Sequence, residues 1–429
     1  MKAIGIDIGT TSVCGVVVDV ETGQIVHSCT RNSNAFLPSR NDWEKIQSVD
    51  KIITVATEIL ESFIQNDIVV IGVTGQMHGI VYFDANGVAV SPLYTWQDGR
   101  GNLPYKDTTY AQYLNSCSGY GNVTDFYNRM NGIRPAAAVG YCTIHDYFAM
   151  RLCGLARPLI HSSDAASFGC YHLTENRFDY DCNVDVVSDY CILGEYRKIP
   201  VSVAIGDNQA SVFSTLADEN NILLNVGTGS QVSVISNVPV EAENIETRPF
   251  LGGKYLVVGS ALCGGRSYSL LKNFYSEILG YTGNFEDNAV YQIMEQMLAQ
   301  ISSTSITVDT RFAGTRSNPS QCGSILGLRP ENFTPSHLTL GVLDGMVSEL
   351  FEMYESMQQK RCGIIGSGNG IRMNPTLVRI FEKKFGTQMK IPKHMEEASF
   401  GAALFGLISC NVLKDASEAR KLIQYTNFS

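Results

Sequence analysis

Ile6-Asp7-Ile8-Gly9-Thr10-Thr11-Ser12, near the start of the chain, and Leu224-Asn225-Val226-Gly227-Thr228-Gly229-Ser230, about halfway along it, decide how the sequence is read. Each is a strand running into a Gly-Thr turn and out along a second strand. With no Cβ at the glycine, backbone N–H groups can close on an anion, and the threonine and serine hydroxyls add donors. One such turn alone is an ordinary β-hairpin. Two of them, one in each half of the chain, predict a nucleotide polyphosphate held between two half-molecules. Neither is a Walker loop, because no Gly-Lys-Ser/Thr follows, and Gly227-Thr228-Gly229 lacks the third glycine of a dinucleotide fingerprint.

Outward from the first turn, residues 3–8, 14–20 and 24–30 read as strands. Apolar residues from Trp43 to Phe63 recur at helical spacing, a strand runs from Ile68 to Val73 and breaks at Thr74-Gly75, and Asn86-Gly87 marks a hairpin turn. Around the second turn the order returns. Strands flank Gly227 to Ser230, another follows from Tyr255 to Val258, and a helix passes through Leu340, Leu343, Val347, Leu350, Phe351 and Tyr354. A strand from Cys362 to Ile365 then breaks at Gly366-Ser367-Gly368. This is a duplication of architecture rather than of residue identity. The polar run Ala217-Asp218-Glu219-Asn220-Asn221 sets the expected boundary, giving domains 1–217 and 218–429. The fold class predicted is α/β: a two-domain actin-like ATPase (ribonuclease H-like) core, a mixed sheet flanked by helices in each half and a ligand cleft between the halves.

At 429 residues and 44% hydrophobic, the chain can bury two cores and is neither disordered nor fibrous. A net charge of −10 with no offsetting run of lysine and arginine argues against a nucleic-acid partner. No apolar run reaches the length of a membrane span or a signal segment, so the expectation is a cytoplasmic protein without a membrane partner. None of the 12 cysteines is spaced Cys-x-x-Cys, and the surroundings of Cys14, Cys142, Cys263 and Cys410 predict reduced, buried thiols. The seven histidines show no ligand spacing for a structural zinc. A homodimer is compatible with the sequence, but nothing in it reads as an interface.

Phosphoryl transfer needs a phosphate cradle, a metal for the phosphates, a base at the acceptor hydroxyl and exclusion of water. Asp7 ends the first strand at the first cradle and suits a magnesium ion held through water. Asp207, in Gly206-Asp207-Asn208-Gln209 after the apolar run Val201 to Ile205, can accept a hydroxyl proton, although Gly-Asp-Asn is also a common turn. Gly75-Gln76-Met77-His78-Gly79 and Thr95-Trp96-Gln97-Asp98-Gly99-Arg100 supply donors and acceptors at Gln76, His78, Asp98 and Arg100. Met77 and Trp96 are apolar walls. That mix suits a polyhydroxylated ligand, while the plain alternative is a loop with a buried histidine and a surface Asp-Arg pair.

Taken in order, DIGTTS, GQMHG, TWQDGR, Gly-Asp-Asn-Gln, NVGTGS and GSGNG resemble the FGGY family of carbohydrate kinases over nearly the whole chain. The run from Thr143 to Tyr171, together with TWQDGR, is most similar to the branch that phosphorylates sedoheptulose. The resemblance implies ATP and Mg2+ as cofactors and a ketose as the small-molecule partner. It implies Asp207 as catalytic base and, with Asp7, as the metal-associated pair. Gly9, Thr10, Thr11, Ser12, Gly227, Thr228 and Gly229 fall on the phosphate turns, and Gly264, Gly265, Gly366, Ser367, Gly368 and Asn369 on the adenosine side. Gln76, Met77, His78, Trp96, Asp98, Arg100 and Asn208 fall on the sugar side. Transfer to another ketose such as D-xylulose, and an ATP-binding regulator without kinase activity, are the alternatives. The chain is shorter than typical members, with Asn122 to Ala138 compressed beside the sugar site and Cys14 where many members have lysine.

Overall fold

The strand Lys2–Ile8 pairs antiparallel with Ser12–Asp19 and parallel with Ile68–Gly75, so it lies in the interior of a sheet and is apolar nearly throughout. The computed structural model describes residues 1–427 apart from 183, 282, 284–288, 316, 317 and 319. The sheet continues through Ile25–Asn32 on one side and through Ile199–Ser202 and Ile192–Tyr196 on the other, with Ile205–Gly206 paired to the end of Ile68–Gly75. A helix, Val49–Phe63, buries Ile52, Ala56, Ile59, Leu60 and Phe63 in the core of this sheet. It starts later than the apolar spacing from Trp43 predicts. Ser48 caps it by accepting from the Lys51 N–H, and Ile46–Gln47 is already a strand paired with Leu93–Tyr94.

Asn221–Val226 opens a second sheet with the same wiring. It is antiparallel to its hairpin mate Ser230–Ser236 and parallel to the later strand Gly363–Ser367, which is parallel in turn to Met389–Pro392. The helix Pro335–Ser356 packs Leu343, Met346, Val347 and Leu350 into this second core. Both parallel strands run to their glycine breaks, Thr74-Gly75 and Gly366-Ser367, as strand.

Two units result: Met1–Ala217 with Arg248–Tyr255 and Glu396–Gln424, and Asp218–Thr247 with Leu256–Met395 and Tyr425–Ser429. Two segments beyond residue 217 therefore pack with the first unit, unlike the continuous span 218–429 read from the sequence. Glycines explain the larger one. A Cβ on Gly5 would lie 1.8 Å from the Ser399 carbonyl oxygen, and one on Gly72 would lie 1.9 Å from that of Ala402. The helix Glu397–Ser409 thus rests directly on sheet backbone. On its other side Gly401 meets the Ala210 carbonyl as closely, so this helix also seats the Asp207–Thr215 helix.

All 12 cysteines are free, but only Cys142 and Cys263 are buried, and Cys117, Cys322 and Cys362 are exposed. The expectation of buried thiols fails for the rest, Cys14 and Cys410 included, which are half-buried. Among the described residues no helix is long and apolar enough to cross a membrane.

Candidate active site

In the first unit, Asp7 faces the Ile68–Gly75 strand through its partner Thr74, and the Thr74 hydroxyl donates to the Ile205 carbonyl at 2.6 Å. That bond ties the end of the central strands to the residues just before Asp207. Gly206 N–H donates to Ser163 Oγ at 3.1 Å, and Asp207 then opens a helix, Asp207–Thr215, rather than the turn that Gly-Asp-Asn suggests. An acid in the first helical turn is favoured by the helix dipole. Asp207 remains partly accessible. Its carboxyl is lifted above the usual range by withdrawal from water, an effect opposed by His145, the Asn208 N–H and Arg248. Asp7 is lifted to about 7 by burial and by the Asp207 charge, and its Oδ1 is buried without a hydrogen-bond partner.

The first turn is braced from beneath. Gln47 Nε2 donates to the Thr10 carbonyl at 2.6 Å, Gln76 Nε2 donates to Gln47 Oε1 at 3.1 Å, and Thr10 Oγ1 donates to Gln76 Oε1 at 3.4 Å. Gln76 is buried and its amide is spent on this bracing. Trp96, exposed, donates its indole N–H to Thr10 Oγ1 at 3.0 Å. His78 holds a left-handed backbone (φ 72°), donates from Nδ1 to the Ser167 carbonyl at 2.9 Å and stacks on Tyr120 at 4.2 Å. The carbonyl can only accept, so Nε2 is the acceptor nitrogen of the neutral ring. Met77 is buried, with its sulfur packed against Gly206. Asn208 accepts from Arg248 at 3.3 Å.

Asp98 and Arg100 are neither a surface pair nor open to a ligand. Both are 1% exposed. Arg100 Nε donates to Asp98 Oδ1 at 2.6 Å, Nη1 to Asn128 and Nη2 to Glu44 and Asp98 Oδ2, with the guanidinium 4.3 Å from the Tyr94 ring centroid. Asp98 also accepts from the Lys45 N–H. The geometry makes this pair the internal frame of the loop that presents Trp96.

In the second unit a cavity of about 790 Å³ is lined by Gly227, Thr228, Gly265 and Asn369. Gly265 N–H donates to the Gly227 carbonyl at 3.0 Å and Arg266 N–H to that of Thr228 at 2.9 Å, which docks the start of the Gly264–Gly280 helix on the second turn. Gly229, Gly264, Gly366, Ser367 and Gly368 support the cavity without lining it. Gly264 abuts Ser230, Gly368 (φ 85°) abuts the Val226 carbonyl, Gly366 packs on Met389, and Ser367 is fully buried. The sequence reading missed Arg266, Tyr268, Tyr291 and Glu295, which also line the cavity. Tyr268 and Tyr291 stack at 5.8 Å, and the Tyr268 hydroxyl donates to Glu295 Oε1 at 3.5 Å. The only signal for them was an aromatic on each of two helices, which ordinary core packing also produces.

Comparison with known proteins gives concordant results. Residues 2–110 match the N-terminal domain of the FGGY family of carbohydrate kinases. The sedoheptulokinases of Mus musculus and Homo sapiens are each 28% identical over 466 aligned positions, covering 94% of this chain and 96% of theirs. The crystal structure of xylulose kinase from Rhodospirillum rubrum superposes with a TM-score of 0.86 at 17% identity, over 100% of this chain and 93% of that one. The actin-like ATPase fold is thereby established, and with the matched N-terminal domain and relatives aligned along nearly the full length, the chain is a sugar kinase, a phosphotransferase acting on an alcohol group, similar to the FGGY carbohydrate kinases.

Proposed function

We propose that this kinase transfers the γ-phosphate of ATP to the terminal primary hydroxyl of a ketose, with sedoheptulose as the substrate and sedoheptulose 7-phosphate as the product. The reading rests above all on the 28% identity to two sedoheptulokinases across 94% of the chain. The first unit supplies the base and the sugar contacts, and the second supplies the adenosine and second phosphate contacts.

Asp207 is the base. An alcohol is far too weak an acid to ionise before attack, so Asp207 takes the proton late, as the loose transition state forms. The raised proton affinity of this carboxyl suits that task. Sugar contacts fall to His78, Met77, Trp96 and Asn208, while Gln76, Asp98 and Arg100 hold the elements carrying them. Asp7, with an unpartnered buried oxygen beside the Asp207 charge, fits a divalent cation, and the two acids would hold Mg2+ directly or through water. When bound, Mg2+ neutralises phosphate charge. Twelve free cysteines support a reducing, cytoplasmic compartment.

The fold likeness to a xylulose kinase keeps D-xylulose as a second reading. ADP release measured over sedoheptulose, D-xylulose, L-ribulose, D-fructose and glycerol tests both. Strong stimulation by sedoheptulose alone is expected. A preference for D-xylulose would overturn the substrate, and phosphate release indifferent to every sugar would favour an ATP-binding regulator.

A further inference from the structure

His145, Asp146 and Asp164 form a cluster in the first unit to which the reading above gives no task. His145 and Asp146 belong to the first turn of the Ile144–Leu152 helix, and Asp164 lies in the short helix Ser162–Ser167. All three are buried, at 0%, 2% and 0% exposure. His145 Nε2 lies 3.1 Å from Asp164 Oδ1, and one ligand atom from each residue lies within 4.8 Å of the others.

The cluster holds more acceptors than it has donors. Apart from the 3.1 Å approach of His145 Nε2 to Asp164 Oδ1, which is not aligned as a hydrogen bond, the oxygens of Asp164, Asp146 Oδ1 and the ring nitrogens of His145 are buried without a partner. Among the described residues, neither carboxylate makes an ion pair with lysine or arginine; the charged groups acting on them are His145, Asp207 and each other. Burial of charge on those terms is costly unless protons or a metal cation neutralise the group. A proton on each carboxyl would remove the charge, and burial favours it, but two protons would still leave an Asp164 oxygen and His145 Nδ1 without partners. Ligand atoms ~2.1 Å from one metal lie roughly 3.0–3.5 Å apart at octahedral or tetrahedral angles; the His145–Asp164 spacing of 3.1 Å meets this, and the third ligand atom, within 4.8 Å, can reach it by a small side-chain adjustment. Asp146 Oδ2 also accepts from Thr143 Oγ1 at 2.7 Å, the outer hydrogen bond that orients a ligating carboxylate.

We propose that His145, Asp146 and Asp164 form a site for one divalent transition-metal ion, separate from any metal that accompanies the nucleotide at Asp7 and Asp207. One imidazole nitrogen with two carboxylate oxygens favours Mn2+ or Zn2+ over Ca2+. The ion ties the start of the Ile144–Leu152 helix to the Ser162–Ser167 helix, whose Ser163 holds the N–H of Gly206 next to the base.

The test uses full-length protein, stripped with chelator and dialysed against Mn2+ or Zn2+ without nucleotide or sugar. Elemental analysis should then find about one equivalent retained by the wild type, as for a specific site. Asp164→Asn and His145→Gln, checked for folding by circular dichroism, should lose it, whereas Asp207→Asn should keep it. A wild type retaining no ion overturns the proposal, as does an equivalent kept by both cluster variants or lost in Asp207→Asn. Should the cluster variants not fold, electron spin-echo modulation of the Mn2+-loaded wild type decides: a directly coordinated imidazole nitrogen supports the site, and its absence overturns it. No sugar enters these measurements, so a wrong ketose leaves them untouched.

Discussion

Asp7 and Asp207 are electrostatically coupled: burial first, and then the Asp207 charge, lifts the Asp7 carboxyl to about 7. The protein therefore binds a proton at Asp7 that its unfolded chain releases near pH 4. Stability from this group is full below the unfolded value and is lost as pH rises toward and through 7. Asp7→Asn should remove the penalty. Without nucleotide or metal, the variant should exceed the wild type by up to about 4 kcal/mol at pH 8 and match it near pH 4. Urea midpoints at pH 4, 6 and 8 measure this, and a constant difference across the range would refute it.

Asp207→Asn keeps the shape of the side chain and removes its basicity. Turnover should fall by about 10² to 10⁴, with an unchanged circular dichroism spectrum and a KM for sugar near that of the wild type. Turnover close to wild type would take Asp207 out of the mechanism.

Arg100→Ala strands Asp98 as a buried charge without its cation. Breaking a buried pair from one side costs about 3–5 kcal/mol, so the variant should show a large drop in its denaturant midpoint. A variant of normal stability with a raised KM for sugar would make Arg100 a substrate contact instead of a frame residue.

At Gly265 a Cβ would sit 2.3 Å from the Gly227 carbonyl oxygen. Gly265→Ala must push the helix start off the second turn, and calorimetry should show ATP affinity reduced at least tenfold, roughly 1.4 kcal/mol. Unchanged affinity would separate this cavity from nucleotide binding.

The Gly-Thr turns, the hairpins around them, the parallel strands ending in glycine breaks and the helix through Leu343 and Val347 were all legible in the sequence. Each rests on a period of two or 3.6 residues, or on a turn residue, and such patterns are written within a few neighbours along the chain. Asp7 and Asp207 were legible as candidates for the same reason, Asp7 near the end of the strand that leads into the first Gly-Thr turn and Asp207 after an apolar strand, beside Gly206.

Tertiary structure alone decided which way the polar side chains of the two loops turn. Gln76, Asp98 and Arg100 look like sugar contacts in GQMHG and TWQDGR; in the structure Gln76 braces Thr10, and Asp98 and Arg100 are buried against each other. Side-chain identity gives donors and acceptors, but their partners, Gln47, Asn128 and Glu44, lie 28 to 56 residues away or arrive from another element. The same holds for Glu397–Ser409, whose place in the first unit depends on glycines at positions 5 and 72, and for Tyr268, Tyr291 and Glu295, which share a cavity only because two helices pack side by side. Local conformation is encoded in nearby residues; who meets whom is settled by burial and close packing across the whole chain.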